Sequence, residues 1–208
     1  MKRKKLIPLL ATVITLSAVG VEVSQASQAS QVQAADCKKA TTTTKKKKYG
    51  LDKAFVFPKS YQGKWYSSSN TTIYPLNFHR SGFDAPWNNQ YINVVKLGKM
   101  KGTKKYIWQM SRSWVEHNIT DIDQYLRGSK EKKRGNNWIV VSPVDQKLRT
   151  RGYAYTVKNE VLDGKKQAVL FESAPGTGKV VNQFFRTEAL AQKYGREKFD
   201  NMKYSSIF

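Results

Sequence analysis

A glycine-rich stretch late in the chain, "SAPGTGKV" at residues 173–180, has part of the spacing of a phosphate-binding loop. Such a loop needs Gly-x-x-x-x-Gly-Lys-Ser/Thr, because glycine amides close around phosphates and the hydroxyl holds Mg²⁺. Gly178 and Lys179 fit this spacing, but Ser173 and Val180 stand at the first glycine and the hydroxyl positions. The residues after Lys179 predict a strand rather than a helix, so we expect a Pro-Gly hairpin turn.

A second cluster, "EHNITDID", brings together the metal-ligating residue types Glu116, His117, Asp121 and Asp123. It lacks the Asp-x-Asp-x-Asp-Gly order of a calcium loop, and no second histidine stands at zinc spacing. We therefore expect a solvated loop leading into a short helix, with the two aspartates in its first turn. No metal site and no cofactor site are predicted.

A third cluster, "NFHRSGFD", contains the residue types of a hydrolase triad in His79, Ser81 and Asp84. Triads assemble in space rather than in local sequence, and the chain has no Gly-x-Ser-x-Gly elbow. Ser81-Gly82 is more typical of a turn. With no catalytic motif elsewhere, the sequence predicts a protein that is not an enzyme.

Two basic stretches, "KLGKMKGTKK" and "RGSKEKKRG", are interpreted as loops beside aromatic-bearing strands. Lysine and arginine supply charge to phosphates, and aromatic faces can stack on bases or sugars. A solvated loop without a partner is the alternative, and no specific nucleic-acid motif is present. The candidate polyanion-binding residues are Lys96, Lys99, Lys101, Lys104, Lys105, Arg127, Lys130, Lys132, Lys133 and Arg134.

The chain begins with the features of a signal peptide over residues 1–34. A positive "MKRKK" precedes an apolar run that is short for a membrane span, and Val32-Gln33-Ala34 fits a small-x-small cleavage site. An uncleaved anchor and lipid attachment at Cys37 are the alternatives. Residues 35–50, rich in Thr and Lys, predict a disordered basic linker. Residues 51–208 then form a single β-rich domain, which a lone cysteine cannot staple with an internal disulfide.

The charge of the protein is strongly positive, with 37 Lys and Arg against 15 Asp and Glu and a formal net charge of +22. Residues 51–208 alone hold 27 basic and 13 acidic side chains, or +14. A balance of this size predicts attraction to polyanions rather than any particular fold. For a secreted protein, these would be anionic cell-wall polymers or membrane headgroups.

The rest of the domain shows the signals of strands separated by turns every 8 to 14 residues, which favour a small antiparallel β-barrel or sandwich. Asp163-Gly164 is a strong hairpin cue, and "GKMKGT" at 98–103 is interpreted as another hairpin turn. "TDIDQYL" and "TEALAQKYG" predict short helices capped by Thr120 and Thr187, the second ending at Gly195. The predicted strands are "KWYSSS", "TTIYPLNF", "QYINVVKL", "KKYIWQM", "NNWIVVS", "LRTRGYAYTVK", "KQAVLFES" and "VVNQFFR".

The first of these strands carries Gly63, Trp65 and Tyr66. Gly63-Lys64-Trp65 resembles the Gly-x-Trp that opens the first strand of lipocalins and related calycins, and the wider pattern resembles uncharacterised secreted β-domain proteins of lactic-acid bacteria. The resemblance implies a barrel plugged at one end by the tryptophan, an arginine packed on that ring, and a small apolar ligand in the mouth. Arg149, Arg151 and Arg186 are all candidates for the arginine.

Three functions are consistent with these features. The first is a secreted, extracellular or wall-associated binding domain that associates with the anionic bacterial surface without catalysing a reaction. The second is a lipocalin-like carrier of a small apolar ligand. The third is an interaction or inhibitory protein that acts on another secreted protein.

Overall fold

The domain is mostly β in the computed structural model, which describes residues 45–69, 72–84, 90–146 and 152–208. Its nine strands form one sheet in sequence order that is nearly closed into a barrel, and this confirms the predicted fold class. The strands are β1 (Gly63–Ser69), β2 (Thr72–Phe78), β3 (Gly82–Asp84), β4 (Tyr91–Val95), β5 (Tyr125–Lys133), β6 (Asn136–Pro143), β7 (Tyr153–Leu162), β8 (Lys165–Ser173) and β9 (Val180–Phe184).

All neighbouring strands are antiparallel except β4 and β5, which run parallel. Parallel neighbours need a long connection, because the chain must return to the end at which the first strand began. Residues 96–124 make this return and contain helix α1 (Arg112–Asn118) between two 3₁₀ turns, Ile107–Gln109 and Ile122–Gln124. β4 and β5 consequently run in the same direction, and β5 continues for six residues beyond the level at which β4 ends.

The sheet closes where the chain after β9 meets β1. The backbone N–H of Tyr66 donates to the carbonyl of Phe185 at 2.8 Å, and the reverse bond has the same length. Closure is incomplete at another seam, because β6 and β7 pair only through Ile139–Val141 and Tyr153–Tyr155. From Ile139 toward the start of β6, and from Tyr155 toward the end of β7, the two strands are not paired with each other.

The interior of the barrel is filled mainly by aromatic side chains. Trp65, Phe78, Phe83 and Tyr155 point inward from the strands, and the segment before β1 adds further rings from Phe55, Phe57 and Tyr61. Phe55 packs so closely on β5 that a Cβ at Gly128 would lie 2.4 Å from its ring, so this strand position accepts only glycine. The predicted burial of Trp65 is confirmed, since it has 0% exposure.

Two further apolar clusters lie outside the barrel. One packs the outer face of β6–β9 against helix α2 (Glu188–Tyr194) and the C-terminal residues, with Trp138, Phe171 and Phe185 at its centre. The other lies beneath the 96–124 connection and includes Tyr49 and Leu51. Within the described residues, no helix is both long enough and apolar enough to span a membrane.

Several local predictions are confirmed. The side chain of Thr187 accepts a hydrogen bond from the Leu190 amide and caps α2. Asp163 and Gly164, with φ of 50° and 72°, form the predicted β7–β8 hairpin turn. Gly195 does end α2, but it does so in a right-handed conformation with φ −57° rather than a left-handed one.

Other local predictions are wrong. The stretch 104–110 is not a strand, and 98–103 is therefore not a β-hairpin turn; β4 pairs with β5 instead. "TDIDQYL" forms only a 3₁₀ turn before β5 begins, so the second basic stretch is strand and turn rather than loop. Apolar periodicity could not show this strand, because the C-terminal half of β5 is polar and largely exposed.

The predicted linker is corrected at its C-terminal end. Residues 45–49 are helical, and Tyr49 and Leu51 are buried against the connection, with 7% and 3% exposure. Residue 50 belongs to the same packed segment, because the amide of Gly98 donates to its carbonyl at 2.9 Å. Residues 1–44, which hold the predicted signal peptide and the rest of the linker, lie outside the described residues.

Candidate functional site

Trp65 is held at the closed end of the barrel by an arginine. The guanidinium carbon of Arg186 lies 3.5 Å from the centre of the Trp65 indole, and the indole Nε1 donates to the Tyr61 carbonyl at 2.6 Å. The same guanidinium donates to the carbonyls of Gln62 and Ser60 at 3.0 and 2.9 Å. The guanidinium charge of Arg186 is thus held by stacking on the indole and by hydrogen bonds to backbone carbonyls, so the Trp65–Arg186 pair has a structural role.

Arg186 is therefore the arginine that sequence reasoning could not choose. Arg149 and Arg151, the other two candidates, lie outside the described residues. Arg186 follows β9 directly, and sheet closure brings that point of the chain against β1. Closure is a tertiary event, so no local pattern around the three arginines could distinguish them.

At the opposite end of the barrel is an open mouth with a cavity of about 400 Å³. Its wall is mostly aromatic, with a few polar groups near the rim. The lining residues are Ser69, Tyr74, Leu76, Phe83, Tyr153, Tyr155, Glu172, Asn182 and Phe184. Size and lining are those of a site for a small molecule with apolar surface.

Glu172 is the one ionisable carboxyl group among these lining residues. Alternation along β8 places it on the same face as Leu170, which belongs to the barrel core. Burial raises its pKa from 4.5 to about 7, and within the described residues no group donates a hydrogen bond to its carboxyl. The same carboxyl borders a cleft of about 560 Å³ on the outer side of β9, so two openings reach it.

Tyr155 lies beside this carboxyl and is fully enclosed in the core. Burial, together with the charge of Glu172, raises the pKa of its hydroxyl well above the ordinary value of 10. Tyr155 is therefore a neutral wall of the cavity at neutral pH, where the carboxyl of Glu172 changes charge. Sequence reasoning missed Glu172, although its inward position in "KQAVLFES" was a usable signal.

The first predicted basic stretch follows the end of β4, and the second spans the C-terminal part of β5 and the β5–β6 turn. The exposed members are Lys96, Lys99, Lys101, Lys104, Lys105, Lys130, Lys132, Lys133 and Arg134. Backbone bonds tie the first stretch to the N-terminal lysines, since the amide of Lys101 donates to the Lys48 carbonyl at 2.9 Å and that of Lys96 to the Lys53 carbonyl at 2.7 Å. β4 ends at Val95 beside Arg127, whereas β5 continues for six residues to Lys133, so the first stretch leaves the sheet beside the start of β5 and the second lies further along that strand.

Arg127 does not belong with this group, which corrects the prediction. It has 5% exposure, and its Nε donates to the Ser142 hydroxyl at 2.9 Å, while its Nη2 donates to the Gln146 carbonyl. Burial lowers the pKa of its guanidinium. Its position on β5, opposite Ser142, turns it away from solvent, so it supports the sheet rather than a polyanion.

The aromatic residues expected beside the basic stretches are largely buried or stacked on each other. Trp138 has 2% exposure, and its Nε1 donates to the Lys133 carbonyl at 3.2 Å. Tyr106 and Trp108 stack on each other with centroids 6.1 Å apart. These three described aromatic residues therefore leave little free ring surface for stacking bases.

The seam below Ile139 and Tyr155 is a cleft of about 800 Å³. The β5–β6 hairpin forms one wall, β7 forms the other, and Tyr61 lies across its base with its hydroxyl donating to the Tyr155 carbonyl at 3.2 Å. Its charged lining residues are Lys130, Glu131, Lys132 and Lys158. The cleft therefore has an excess of positive charge.

The motifs that resembled catalytic or metal chemistry do not assemble into such sites. Residues 174–179 form a turn that leads into strand β9, as predicted, so no helix faces a phosphate there. His79 Nε2 lies 2.9 Å from Asp84, but it is also 3.2 Å from the Asn77 amide, and the Ser81 carbonyl accepts a β4 backbone bond. Although burial acts to raise it, the pKa of Asp84 is lowered by bonds from His79 and Asn77.

The acidic cluster near α1 is likewise separated. Glu116 pairs with Arg112 at 2.6 Å on the exposed face of α1. Among the residues that the structure describes, no three His, Cys, Asp or Glu side chains come together as a metal site would require. A scan against protein-family models, a search of the curated proteins and a search of the solved structures each found no match.

Proposed function

We propose that this protein is a secreted, non-enzymatic binding domain that associates with anionic polymers of the bacterial cell surface. The observation that carries the proposal is the exposure of nine of the ten predicted basic side chains, in a domain of net charge +14. Clustered positive charge attracts polyanions over a range that salt shortens to about 10 Å at 0.1 M. The proposal predicts retention on the wall by charge alone.

The test is a partition experiment with the protein and washed cell walls. At low ionic strength we expect the protein in the wall fraction, and about 1 M salt should release it because screening then acts within about 3 Å. A matched wash with sucrose at equal osmolarity should release none. Protein that stays in the supernatant at low salt would remove the main support for surface binding.

A second function is favoured by the mouth cavity. We propose that the barrel mouth takes a small ligand with an apolar ring or chain and a polar or cationic group that meets Glu172. Support comes from the aromatic lining and from the placement of that carboxyl without a hydrogen-bond partner among the described residues. Such a group, buried beside apolar walls, gains most from a ligand that supplies a donor.

This second proposal is tested with a cationic and a neutral form of one apolar fluorescent probe. Saturable uptake of the cationic form at pH 8 should survive 1 M salt and weaken at pH 5, where Glu172 is protonated. Glu172→Gln should remove the preference for the cationic probe and leave neutral uptake unchanged. If neither form binds saturably, the mouth is not a ligand site.

A further inference from the structure

The cleft between β6 and β7 contains lysines whose position follows from the strand register. Lys130 pairs with Ile139, and Lys132 pairs with Asn137. Ile139 belongs to the barrel core, so alternation places both lysines on the face of β5 that lines the interior elsewhere. β7 is not paired with β6 beside Asn137, so the inner face of β5 is open to solvent there. Both lysines are therefore exposed in the cleft.

The two lysines lie two residues apart on the same face of one strand. Residues two apart on one face of a strand are separated by about 7 Å, which is comparable to the spacing of successive phosphates in a phosphodiester chain. The amide of Asn137 is exposed beside them, and backbone groups of β6 and β7 that face the seam are not paired with each other there. Lysine, side-chain amide and backbone N–H are common phosphate ligands.

The other charged residues that line the cleft either bond elsewhere or lie on the opposite face of their strand. Lys158 is on the outer face of β7, and its Nζ donates to the Asn201 carbonyl at 3.3 Å. Glu131 is on the opposite face of β5 from Lys130 and Lys132, opposite Trp138. The inward-facing charge of the cleft is therefore that of the two lysines.

The aromatic side chains of the cleft distinguish between kinds of phosphate polymer. Among the described residues that line it, the aromatic ones are Tyr61 and Trp138, and their exposure is 7% and 2%. Proteins that bind single-stranded nucleic acid stack bases on exposed aromatic faces, each worth about 1–3 kcal/mol. Such faces are missing from the described lining of this cleft, so a polymer without bases fits it better.

We infer that the β6–β7 cleft is the binding site for one segment of a flexible, base-free phosphodiester polymer, such as a polyol phosphate, with Lys130 and Lys132 as its phosphate contacts. The inference rests on the proposed surface-binding function and assigns it to a site. The recessed shape favours a single polymer strand over a flat membrane surface.

The test compares two double variants that remove equal charge from the protein. Lys130→Gln/Lys132→Gln removes the cleft pair, and Lys165→Gln/Lys166→Gln removes two exposed lysines at the β7–β8 hairpin. Binding to a fluorescently labelled glycerol phosphate oligomer is measured by anisotropy from 0.05 to 0.5 M salt. Melting curves of the variants verify that both are folded.

The cleft variant should bind at least about ten-fold more weakly than the unaltered protein, and the control less than three-fold. The slope of log K against log salt should fall by about 1.4 in the cleft variant, as expected for two lost contacts to a flexible strand. Equal losses in both variants would overturn the cleft assignment and leave general surface binding intact. If the unaltered protein does not bind, both proposals fail.

Two competitors test the class of ligand with the same protein. Oligothymidylate of equal charge and phosphatidylglycerol vesicles should each compete at least about ten-fold less well than unlabelled glycerol phosphate oligomer. Tighter binding of oligothymidylate would reassign the cleft to single-stranded nucleic acid. Tighter binding of vesicles would reassign it to a membrane surface.

Discussion

Single residues in this barrel show how position rather than type decides a role. Arg127, Arg186 and the exposed Arg134 are all basic, yet the first bonds Ser142 inside the sheet and the second clamps Trp65. Arg134 lies at the β5–β6 turn with φ 50°, exposed to solvent. Each role follows from the face of the strand or turn on which the side chain lies.

Glu172 gives the sharpest prediction at the residue scale. The pKa of its carboxyl is about 7 in the folded protein, against an ordinary value of 4.5 that applies to the unfolded chain. As pH rises, the unfolded chain therefore releases this proton before the folded protein does. Stability from this group is therefore complete below pH 4.5, is lost between about 4.5 and 7, and stays lost above 7. A shift of this size corresponds to about 3 kcal/mol.

Glu172→Gln should accordingly raise the free energy of unfolding by about 1–3 kcal/mol at pH 8 and change it little at pH 4. Urea unfolding at the two pH values measures this difference. Glu188→Gln, at the exposed start of α2, is the control with the same chemical change and should show no such pattern. A Glu172→Gln protein with unchanged stability at pH 8 would mean that the carboxyl is well solvated.

At the scale of elements, the segment that precedes β1 is as much a part of the barrel as the strands. Phe55 and Phe57 enter the interior, and the Phe55 amide donates to the Val94 carbonyl at 2.8 Å beside β4. Upstream of them, Tyr49 and Leu51 anchor the long connection between β4 and β5. This connection makes the parallel pairing of β4 and β5 possible.

A pair of truncations tests the boundary of the domain. A chain that starts at residue 45 keeps Tyr49 and Leu51, whereas one that starts at residue 52 loses both. Each buried apolar side chain of this size is worth about 1.5–3 kcal/mol, and a domain of this length loses roughly 2–4 °C per kcal/mol. The shorter chain should melt at least about 6 °C below the longer one in thermal denaturation, and equal melting temperatures would mean that these residues do not pack on the domain.

For the molecule as a whole, the charge and the fold are nearly independent properties. A balance of +14 acts over long distances and does not specify which residues meet a polyanion. The fold supplies that choice by exposing some basic side chains in a cleft and covering Arg127 on the outer face of β5. In the proposed function, charge draws the protein to an anionic surface, and the β6–β7 seam determines where a polymer strand binds.

The sequence by itself determined the fold class, most strand positions, the capping of α2 by Thr187 and the burial of Trp65. These features depend on the alternation of apolar and polar residues, on turn residues and on helix caps, each of which involves only a few neighbouring positions. It did not reveal the exposed strand β5, because a strand with a polar half lacks the alternation that identifies buried strands.

Only the tertiary structure decided which arginine meets Trp65, that Arg127 is buried, and that Glu172 lines a cavity with a raised pKa. Each depends on closure of the sheet or on strand register between segments far apart in the chain. Contacts of this kind arise when distant strands pair, and the desolvation that shifts a pKa exists only once they have done so. The separation of β6 from β7, which forms the proposed polymer site, belongs to the same class of fact.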